Sequence, residues 1–530
     1  MTTGDRPPRS AFVLLALVMG AIVANINLSI ANVALPTIGH DLNASQDQLT
    51  GIANAFALGL ASTVLYLGTI GDRYGRKLLF VLGGVLTIPT AMLAAWAPTA
   101  EILTVARFLG GISAALLFPT TLSLINALYK NKAKVGAIAI WSGVGGGVAA
   151  IGPLIGGWML ENFWWGSVFL ITLPLDILAL IVGLIVLPWR MSEDKFKVDH
   201  LGGILSVLGV GGFVLSIEIA DRGFTASWFA LFFGSLVVLA LFFWRQTRAP
   251  RPLISLPLAK ARTFWVAFVV GAICFGSLIG AMFIGQQFTQ NVLGYSTVEA
   301  AEVVLPAGIF IVLAGGLAGK LITKMGSRIT FVIGLSSVAI AFILMLTTWT
   351  AHAHLGWILV SYVFMGIGVG MGSTPASRAL MSSVPPSRGG MGSSFLDLTR
   401  DFGGAILQAL MGGLLAAAYA SNMLASISSA PSEETSKLTN QVADQLTSSF
   451  TSAADVAQQY PTYSTDILSA AAQAFTDGKS VAIVVALAMT LIGLALVLVR
   501  FPGKAKEEAF YEQVAEMDNA KPADGAAATK

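Results

Sequence analysis

The chain has 530 residues, of which 55% are hydrophobic and 11% are charged, and its mean hydropathy is +0.77. Because average soluble proteins carry about 25% charged residues, this composition excludes a purely soluble enzyme and indicates a chain that lies mostly inside a membrane. The net charge is only +3, and no dense basic run with interleaved aromatic residues occurs, so we expect no nucleic-acid partner. The single cysteine, Cys274, can form neither an internal disulfide nor, by itself, a zinc site.

Fourteen apolar runs follow one another along the chain, each about 20 residues long and so able to cross roughly 30 Å of hydrocarbon. The six amino-terminal runs lie near residues 11–35, 50–71, 78–97, 102–127, 135–160 and 167–187. The two central and six carboxy-terminal runs lie near residues 201–220, 228–244, 264–287, 300–322, 329–348, 355–373, 391–420 and 480–499. The sequence therefore predicts an all-α integral membrane protein with 14 transmembrane helices and both termini on one side.

The distribution of basic residues predicts which side that is, because short cytoplasmic loops carry the excess of Lys and Arg. With the amino terminus in the cytoplasm, 26 of the 31 Lys and Arg residues fall on the cytoplasmic side. Arg222, Lys437 and Lys479 fall on the opposite side, and Arg107 and Arg400 fall inside spans. We therefore expect both termini to be cytoplasmic.

Two segments outside the spans have helical or polar character. In the outer segment 421–479, Leu438, Val442, Leu446 and Phe450 are spaced by four, as on one face of an amphipathic helix. Pro461 is expected to end that helix, and a second helical stretch over 464–475 predicts a hairpin above the outer mouth; a solvated linker is the alternative. The tail 504–530, rich in Ala, Lys and Glu, is predicted to be a frayed helix with a disordered end.

The most specific motif is GTIGDRYGRK, between spans two and three. Its glycines permit a tight turn, and its aspartate can face a helix amino terminus or an arginine and so latch two helical bundles together; the alternative is simple anchoring by positive charge. The residues expected to form this gate are Gly68, Asp72, Arg73, Gly75, Arg76 and Lys77. The loop closely resembles the signature loop of the major facilitator superfamily of secondary transporters.

A weaker copy of the motif, GKLITKMGSR, follows span ten, with Gly319, Gly326 and Arg328 in matching places but Thr323 at the position of Asp72. Two related halves would leave such a repeat. The motif of span four places Arg107 inside the membrane, where it needs an acid, a polar backbone group or water; we count it with the gate residues.

Span five ends in GPLIGGW, and Gly152, Pro153, Gly156 and Gly157 resemble the motif that marks exporters within the superfamily. Ordinary packing of small residues is the alternative. Together with NVALPTI at 32–38 and the segment 288–308, these motifs resemble the fourteen-span drug:proton antiporter family over nearly the whole chain.

This resemblance implies a major facilitator fold in which two six-helix bundles rock about a central cavity. Residues 1–187 would form the first bundle and 188–250 the inserted helices 7 and 8. The second bundle would comprise helices 9 to 13 within 251–420 and helix 14 within 480–503, separated by the outer loop.

Carboxyl groups at membrane depth are candidates for carrying protons, because low dielectric favours their neutral form. Asp397 and Asp401 lie four residues apart on one face of span thirteen, with Arg400 beside them. They form either a switchable proton-coupling set or a salt bridge that holds the helix end. Acidic residues known in this span of fourteen-span relatives favour the first alternative. Glu302 is either a second carrier or an acid that stabilises a helix start, and Asp176 is expected to pair with Arg107 or to line the cavity.

Span one departs from the family pattern. Family members usually carry an aspartate five residues before Asn32, whereas this chain has Asn27, which cannot carry a proton. Any proton coupling would then rest on the second half. The amide, hydroxyl and aromatic groups expected along the substrate pathway are Asn25, Asn27, Ser29, Asn32, Trp141, Gln286 and Gln287. Few fixed charges suit amphiphilic substrates, although such residues also serve ordinary helix packing.

These features predict a monomeric, multi-pass exporter of hydrophobic or amphiphilic small molecules in a bacterial cytoplasmic (inner) membrane, with protons and membrane lipids as further partners. No HExxH, GxSxG or ATP-binding GxxxxGK(S/T) string occurs, so we expect neither an enzyme nor a cofactor. The alternatives are a transporter or flippase of membrane lipids or cell-envelope components, which the neutral first span and large outer loop favour, and a receptor that does not transport.

Overall fold

The computed structural model describes residues 7–44, 46–189, 198–219, 225–250, 252–429 and 439–519, and the secondary structure of these residues is helical without strands. The helices of the first half are α1 Ser10–Ser29, α2 Ala31–Leu42, α3 Gln46–Tyr74, α4 Arg76–Ala95, α5 Ala100–Leu128, α6 Asn131–Asn162, α7 Ser167–Leu170 and α8 Leu173–Val186. Two helices, α9 His200–Glu218 and α10 Ala226–Arg248, follow and pack against each other, with α9 also lying against α3.

The second half begins with α11 Leu256–Ala259 and α12 Arg262–Gln287, which a short π-helix, Phe288–Val292, extends. Its remaining helices are α13 Thr297–Glu302, α14 Leu305–Met325, α15 Ser327–Thr348, α16 Leu355–Ser382, α17 Gly389–Ser429, α18 Asn440–Ser448, α19 Phe450–Gln459, α20 Ser464–Arg500 and α21 Lys504–Asn519. Single turns of 3-10 helix at Pro386–Arg388 and Pro461–Tyr463 precede α17 and α20.

The helices of the described chain include 13 segments that are long and apolar enough to cross a membrane. The remaining predicted span, 135–160, coincides with α6, a helix of 32 residues. Many large apolar side chains face outward, including Val499 at 76% exposed and Ile492 at 66% exposed. Such a surface suits lipid rather than water, and the chain is a multi-pass membrane protein.

Two glycines make the turns that pair helices at one end of the bundle. Gly75, between α3 and α4, has φ of 117°, and Gly326, between α14 and α15, has φ of 87°. A side chain would be strained in this conformation. Ser10 lies at the same end, since Tyr129 donates a hydrogen bond to its carbonyl. The helix α21 also lies at this end, beside Ser327. We refer to this end, which carries Asp72, as the predicted cytoplasmic end.

The two halves meet along two seams. On one seam α17 packs against α3 and α5, and on the other α14 and α16 pack against α6. Small residues allow the close approach on the second seam: a Cβ atom on Gly315 would lie 3.0 Å from the Cα of Gly143. A hydrogen bond of 2.9 Å between the hydroxyls of Ser142 and Ser377 also joins the halves there.

At the opposite end, the structure differs from the predicted hairpin. The stretch 464–475 is the first part of α20, which continues without a break into span fourteen and totals 37 residues. Leu446 of α18 and Val456 of α19 are buried against α17 and α20, and Tyr419 donates a hydrogen bond to the Leu446 carbonyl. Leu438 lies outside the described residues. The segment thus extends the second half outward.

Two charged parts of the chain make buried contacts that the sequence did not predict. Lys479, counted among the outer basic residues, is buried, and its ammonium donates to the carbonyls of Met345 and Trp349 at the end of α15. The tail was predicted to be a frayed helix with a disordered end; Lys504–Asn519 form the helix α21, which is packed against the second half with Glu507 fully buried. Residues 520–530 lie outside the described part of the chain.

Candidate functional site

A small cavity lies between the two halves and contains the charged cluster of α17. Asp397, Arg400 and Asp401 line one side. The opposite wall comes from α1, α3 and α5 of the first half and consists of the apolar residues Ala24, Leu28, Leu60 and Phe118. Because Asp397 and Asp401 are one helical turn apart, both carboxyls reach the same cavity. The sequence therefore placed this cluster on the correct face.

The three charged side chains do not form an ion pair with one another. Asp397 is 2% exposed and neither of its carboxyl oxygens has a hydrogen-bond partner, and the same holds for Oδ2 of Asp401. The Arg400 guanidinium instead lies over two aromatic rings, 5.0 Å from the centre of Phe118 and 5.9 Å from that of Phe275. The structure thus disfavours the alternative of a salt bridge that holds the helix end.

The aromatic wall of this cavity is supported from behind. Trp141 of α6 packs on Phe118 with ring centres 5.1 Å apart, and its indole N–H donates to the Thr121 hydroxyl at 2.8 Å. Trp141 is buried and does not line the cavity itself. Asn25 is also buried and donates to the carbonyl of Ala21 on its own helix. In this structure both side chains pack against helices of the first half, and their predicted contact with substrate stays a prediction.

At the predicted cytoplasmic end, Asp72 joins the two halves. Its two carboxylate oxygens accept from the backbone N–H of Gly390, the second residue of α17, at 2.9 and 2.8 Å. Arg76 forms an ion pair with the same carboxylate at 2.9 Å and also donates to the carbonyl of Ser123. A carboxylate at a helix amino terminus satisfies unpaired N–H groups and interacts favourably with the helix dipole.

Close backbone contact accompanies this bond. A Cβ atom on Gly68 would overlap the Ser394 hydroxyl and lie 2.8 Å from the carbonyl oxygen of Gly390. Ser394 donates a hydrogen bond of 2.8 Å to the carbonyl of Val64 on α3. The seam between α3 and α17 is therefore closed at this end. Sequence reasoning identified Gly68 and Asp72 but missed Gly390 and Ser394, whose only signal was the glycine pair at the start of span thirteen.

The other basic residues of the loop do not reach the second half. Lys77 donates to the carbonyls of Leu184 and Leu187 at 2.7 and 2.6 Å, and so binds the carboxy-terminal end of α8. Its ammonium also lies 4.2 Å from the ring centre of Trp189. Arg73 lies over the ring of its neighbour Tyr74. Lys77 thus stabilises the first half itself, whereas Asp72 contacts both halves.

Arg107 lies in a second cavity, inside the first half. Its Nη1 donates to the backbone carbonyl of Asn27 at 2.7 Å, and its guanidinium lies between the rings of Phe56 and Phe169. Asp176 is fully buried, but both of its carboxyl oxygens lack a partner. No ion pair joins Arg107 to Asp176 in the described structure, so the predicted pairing is not formed.

The remaining predicted residues are dispersed. Glu302 is exposed at the end of α13, where Glu299 rather than Glu302 forms the capping box with Ser296. Gln286 and Gln287 are half-buried at the end of α12, about 16 Å along the helix from Phe275 by the rise per residue. They lie well away from the α17 cluster.

The exporter motif lies in the second part of α6. Gly152 and Gly156 are buried, and a Cβ atom on Gly156 would lie 3.0 Å from Ile30, where α1 passes into α2. Gly157 has open space beside it. The motif therefore packs within the first half, and Gly143, upstream of it, makes the contact with α14. The side chains of Ser29, Asn32 and Pro153 lie outside the described part of the structure.

The chain matches the sequence profile of the Major Facilitator Superfamily over residues 17–408. This chain belongs to that superfamily. It is 31% identical over 500 residues to the multidrug efflux pump LfrA of Mycolicibacterium smegmatis, covering 94% of this chain and 97% of the relative. It is 30% identical over 491 residues to the methyl viologen resistance protein SmvA of Salmonella typhimurium, covering 91% and 97%.

A further relative, the multidrug resistance protein Stp of Mycobacterium tuberculosis, is 28% identical over 407 residues, which cover 76% of this chain and 75% of Stp. The superfamily membership predicted from the loop motif is thus confirmed. In LfrA and SmvA the similarity extends over nearly the whole length of both chains.

Proposed function

We propose that this protein exports hydrophobic or amphiphilic small molecules, drugs among them, across a bacterial cytoplasmic membrane in exchange for protons. In this proposal α6 is the fifth of 14 transmembrane helices, both termini are cytoplasmic, and the monomer is the working unit. The protein acts as a transporter, not as an enzyme. The names of LfrA, Stp and SmvA support the export of toxic compounds.

The observation that carries the proton-exchange part is the pair of carboxyls on α17. Asp397 is buried and Asp401 is partly buried in the cavity between the halves, and both oxygens of Asp397 and Oδ2 of Asp401 lack hydrogen-bond partners. Removing an ionised carboxylate from water is costly, so such a group favours binding a proton while it is buried and releasing it when water enters. Arg400 lies between them in sequence, and its positive charge stabilises the carboxylate that remains once a proton has left.

Alternating access requires that the closed end can open, and the Asp72 contact is suited to this. The seam between α3 and α17 is held by the hydrogen bonds that the Asp72 carboxylate accepts from Gly390 and by the one that the Ser394 hydroxyl donates to Val64. Each is worth about 1–3 kcal/mol, so a bound substrate or a proton can offset their loss. We propose that this seam separates when the cavity opens to the cytoplasm.

The cavity walls favour amphiphilic substrates. Opposite the α17 cluster they present only aliphatic groups and the Phe118 ring, and such surfaces bind by shape and apolar contact rather than by oriented hydrogen bonds. In this conformation the cavity has room for about one water molecule, far less than a drug-sized ligand needs. Substrate binding would therefore require the halves to move apart.

The decisive experiment uses the purified full-length chain in sealed liposomes with an acidic lumen. A permanently charged lipophilic cation and a neutral lipophilic dye are tested separately. For a neutral dye exchanged for one proton, each pH unit supports about a tenfold accumulation, equal to about 1.4 kcal/mol. We expect gradient-driven accumulation of at least one dye by the wild-type protein, and its loss in the double variant Asp397→Asn with Asp401→Asn.

Two controls separate coupling from folding. The double variant Asp444→Asn with Asp466→Asn removes two exposed acids of the outer segment and should transport normally. Exchange of labelled dye for unlabelled dye at equal pH should survive in the Asp397 and Asp401 double variant, because binding is retained. Normal gradient-driven accumulation in that variant would contradict proton exchange through α17. If neither dye moves but labelled lipids do, the lipid-transporter alternative replaces drug export.

A further inference from the structure

The buried arginine of the first half has hydrogen-bond donors that the protein does not use. Arg107 is 2% exposed. Its Nη1 donates to the carbonyl of Asn27, but Nε and Nη2 have no hydrogen-bond partner. A buried guanidinium normally satisfies its fan of N–H donors with a carboxylate or several carbonyls. Arg107 is also one of the residues that line a cavity inside the first half.

No acid of the described chain neutralises this cation. Arg107 forms no ion pair within 4.0 Å, and the buried Asp176 is likewise unpaired. The nearest groups are the faces of Phe56 and Phe169, whose ring centres lie 4.7 and 5.7 Å from the guanidinium carbon. Ring faces attract a cation but carry no net negative charge that could neutralise it. A net positive charge therefore remains at membrane depth, where it is costly.

The other polar groups of the cavity already donate their hydrogens in hydrogen bonds within the protein. The hydroxyls of Thr87, Thr90 and Ser113 donate to carbonyls of their own helices. The amide of Asn27 donates to the Val23 carbonyl and to the Thr172 hydroxyl. The free donors on the cavity wall thus belong to Arg107. An anion there would find one positive charge, the three N–H bonds of Nε and Nη2, and walls that are otherwise apolar or whose hydroxyls already donate elsewhere.

We propose that this cavity is a binding site for a monovalent, weakly hydrated anion, with chloride as the physiological ligand. Phosphate and sulfate carry more charge and need more donors than Arg107 offers, so their dehydration would not be compensated. A halide accepts few directed hydrogen bonds and tolerates apolar neighbours. Chloride would act as the counter-charge that no side chain supplies. The site is separate from the α17 cluster and does not depend on the proposed proton exchange.

The test measures binding of radioactive chloride to the purified full-length protein in lipid nanodiscs, at constant ionic strength with gluconate as the replacing anion. We expect saturable binding of about one chloride per chain. Bromide and nitrate should displace it, and sulfate should not. Absence of saturable binding by the wild-type protein would overturn the proposal, and equal displacement by sulfate would overturn its selectivity for monovalent anions.

Two variants locate the site by opposite means. Arg107→Gln removes the cation and should weaken chloride binding at least tenfold. Asn27→Asp places a carboxylate on the residue whose carbonyl already accepts from Arg107, so an internal anion should replace chloride with a similar loss of binding. Because Asn27→Asp supplies the missing charge, it should fold even if Arg107→Gln does not. Chloride binding unchanged in Asn27→Asp would contradict the assignment.

The matched control is Arg245→Gln on the inserted helix α10. That arginine already has a carboxylate partner, Asp199, at 3.1 Å, so the proposal expects it to leave chloride affinity unchanged. A tenfold loss in this control as well would mean that binding reports overall charge rather than the Arg107 cavity.

Discussion

The two signature loops at the predicted cytoplasmic end occupy equivalent places in the two halves and share most of their geometry. Gly75 and Gly326 make the same kind of turn with positive φ. The basic residue two positions later binds the carboxy-terminal end of the last span of its own half. Lys77 donates to carbonyls of α8, and Arg328 donates to the Leu498 carbonyl of α20. These features preserve each half as a unit.

The acid is where the loops differ. Asp72 of the first loop binds the amino terminus of α17 across the seam. Thr323, at the equivalent position, donates only to the carbonyl of Lys320 within its own turn. The second seam is instead packed by small residues such as Gly143 and Gly315. One seam is therefore closed mainly by a charge and the other mainly by close packing.

The second loop obtains a carboxylate from the tail. Glu507 of α21 accepts from the backbone N–H of Ser327 at 3.0 Å and from its hydroxyl at 2.5 Å, and it pairs with Arg378 at 3.3 Å. Glu507 therefore caps the start of α15 within the second half. Burial, together with the Glu507 carboxylate, also raises the pKa of the Tyr511 hydroxyl on α21 well above its usual range. A carboxylate at a helix start thus stabilises a single half at α15 and joins the two halves at α17.

The largest expected effect comes from Glu507→Ala. Removing the acid leaves Arg378 without its carboxylate and the start of α15 uncapped, and breaking a buried ion pair in this way costs about 3–5 kcal/mol. We expect a lower unfolding temperature and less folded protein, measured by thermal unfolding in detergent. Glu508→Ala, which removes a half-exposed acid on the same helix, is the control and should change the unfolding temperature little. Equal stability of the two variants would show that α21 is not a structural part of the second half.

Asp72→Asn should affect transport more than stability. The amide oxygen can still accept from the Gly390 N–H, but that bond loses its charge, a change of about 1.5–3 kcal/mol for bonds to a charged group, and the ion pair with Arg76 is lost as well. Because the weakened bond to Gly390 bridges the halves, we expect turnover to fall about tenfold while the amount of folded protein stays nearly unchanged. The measurement is the initial rate of dye transport per folded molecule. Unimpaired transport would remove Asp72 from the gate.

Gly68→Ala tests the close approach beside Asp72 without altering charge. The new methyl group would meet the Ser394 hydroxyl and the Gly390 carbonyl, and such overpacking costs about 1–3 kcal/mol. We expect the seam to open, so that a thiol introduced by Ser394→Cys reacts faster with a water-soluble reagent. Gly319→Ala is the matched change in the second loop, where the nearest atom is the Cβ of Ala139 at 2.9 Å. It should not change labelling at position 394; equal labelling in both would contradict a local effect.

The sequence predicted helices well where long apolar runs have clear ends. It located Asp72, Asp397 and Asp401 because charges are rare at membrane depth. It could not identify Gly390, since the partner of Asp72 is a backbone N–H and leaves no side-chain signal. It also could not predict the position of Glu507. A segment rich in Ala, Lys and Glu is typical of a frayed tail, and its order here depends on contacts with Ser327 and Arg378 that are distant in sequence.

The same limit explains the residues whose predicted contacts are absent. Helical periodicity places Asn25 and Trp141 on a face but does not tell whether that face meets a cavity or a neighbouring helix. Both bury their polar atoms against their own or an adjacent helix. Likewise, Arg107 and Asp176 were expected to pair because each needs a partner, yet a partner requirement does not determine which partner the packing supplies.

The smallest effect is expected from restoring the missing acid in the second loop by Thr323→Asp. The acid of the first loop works because it meets a free N–H at the start of α17, whereas the start of α15 is already capped by Glu507. A partly exposed carboxylate at position 323 would gain at most about 1 kcal/mol from nearby charges. We therefore expect no change in turnover, and no rescue when Thr323→Asp is combined with Asp72→Asn, measured by the same dye assay. Rescue would mean that either seam can hold the closed end, and that the two loops differ in sequence but not in what they can do.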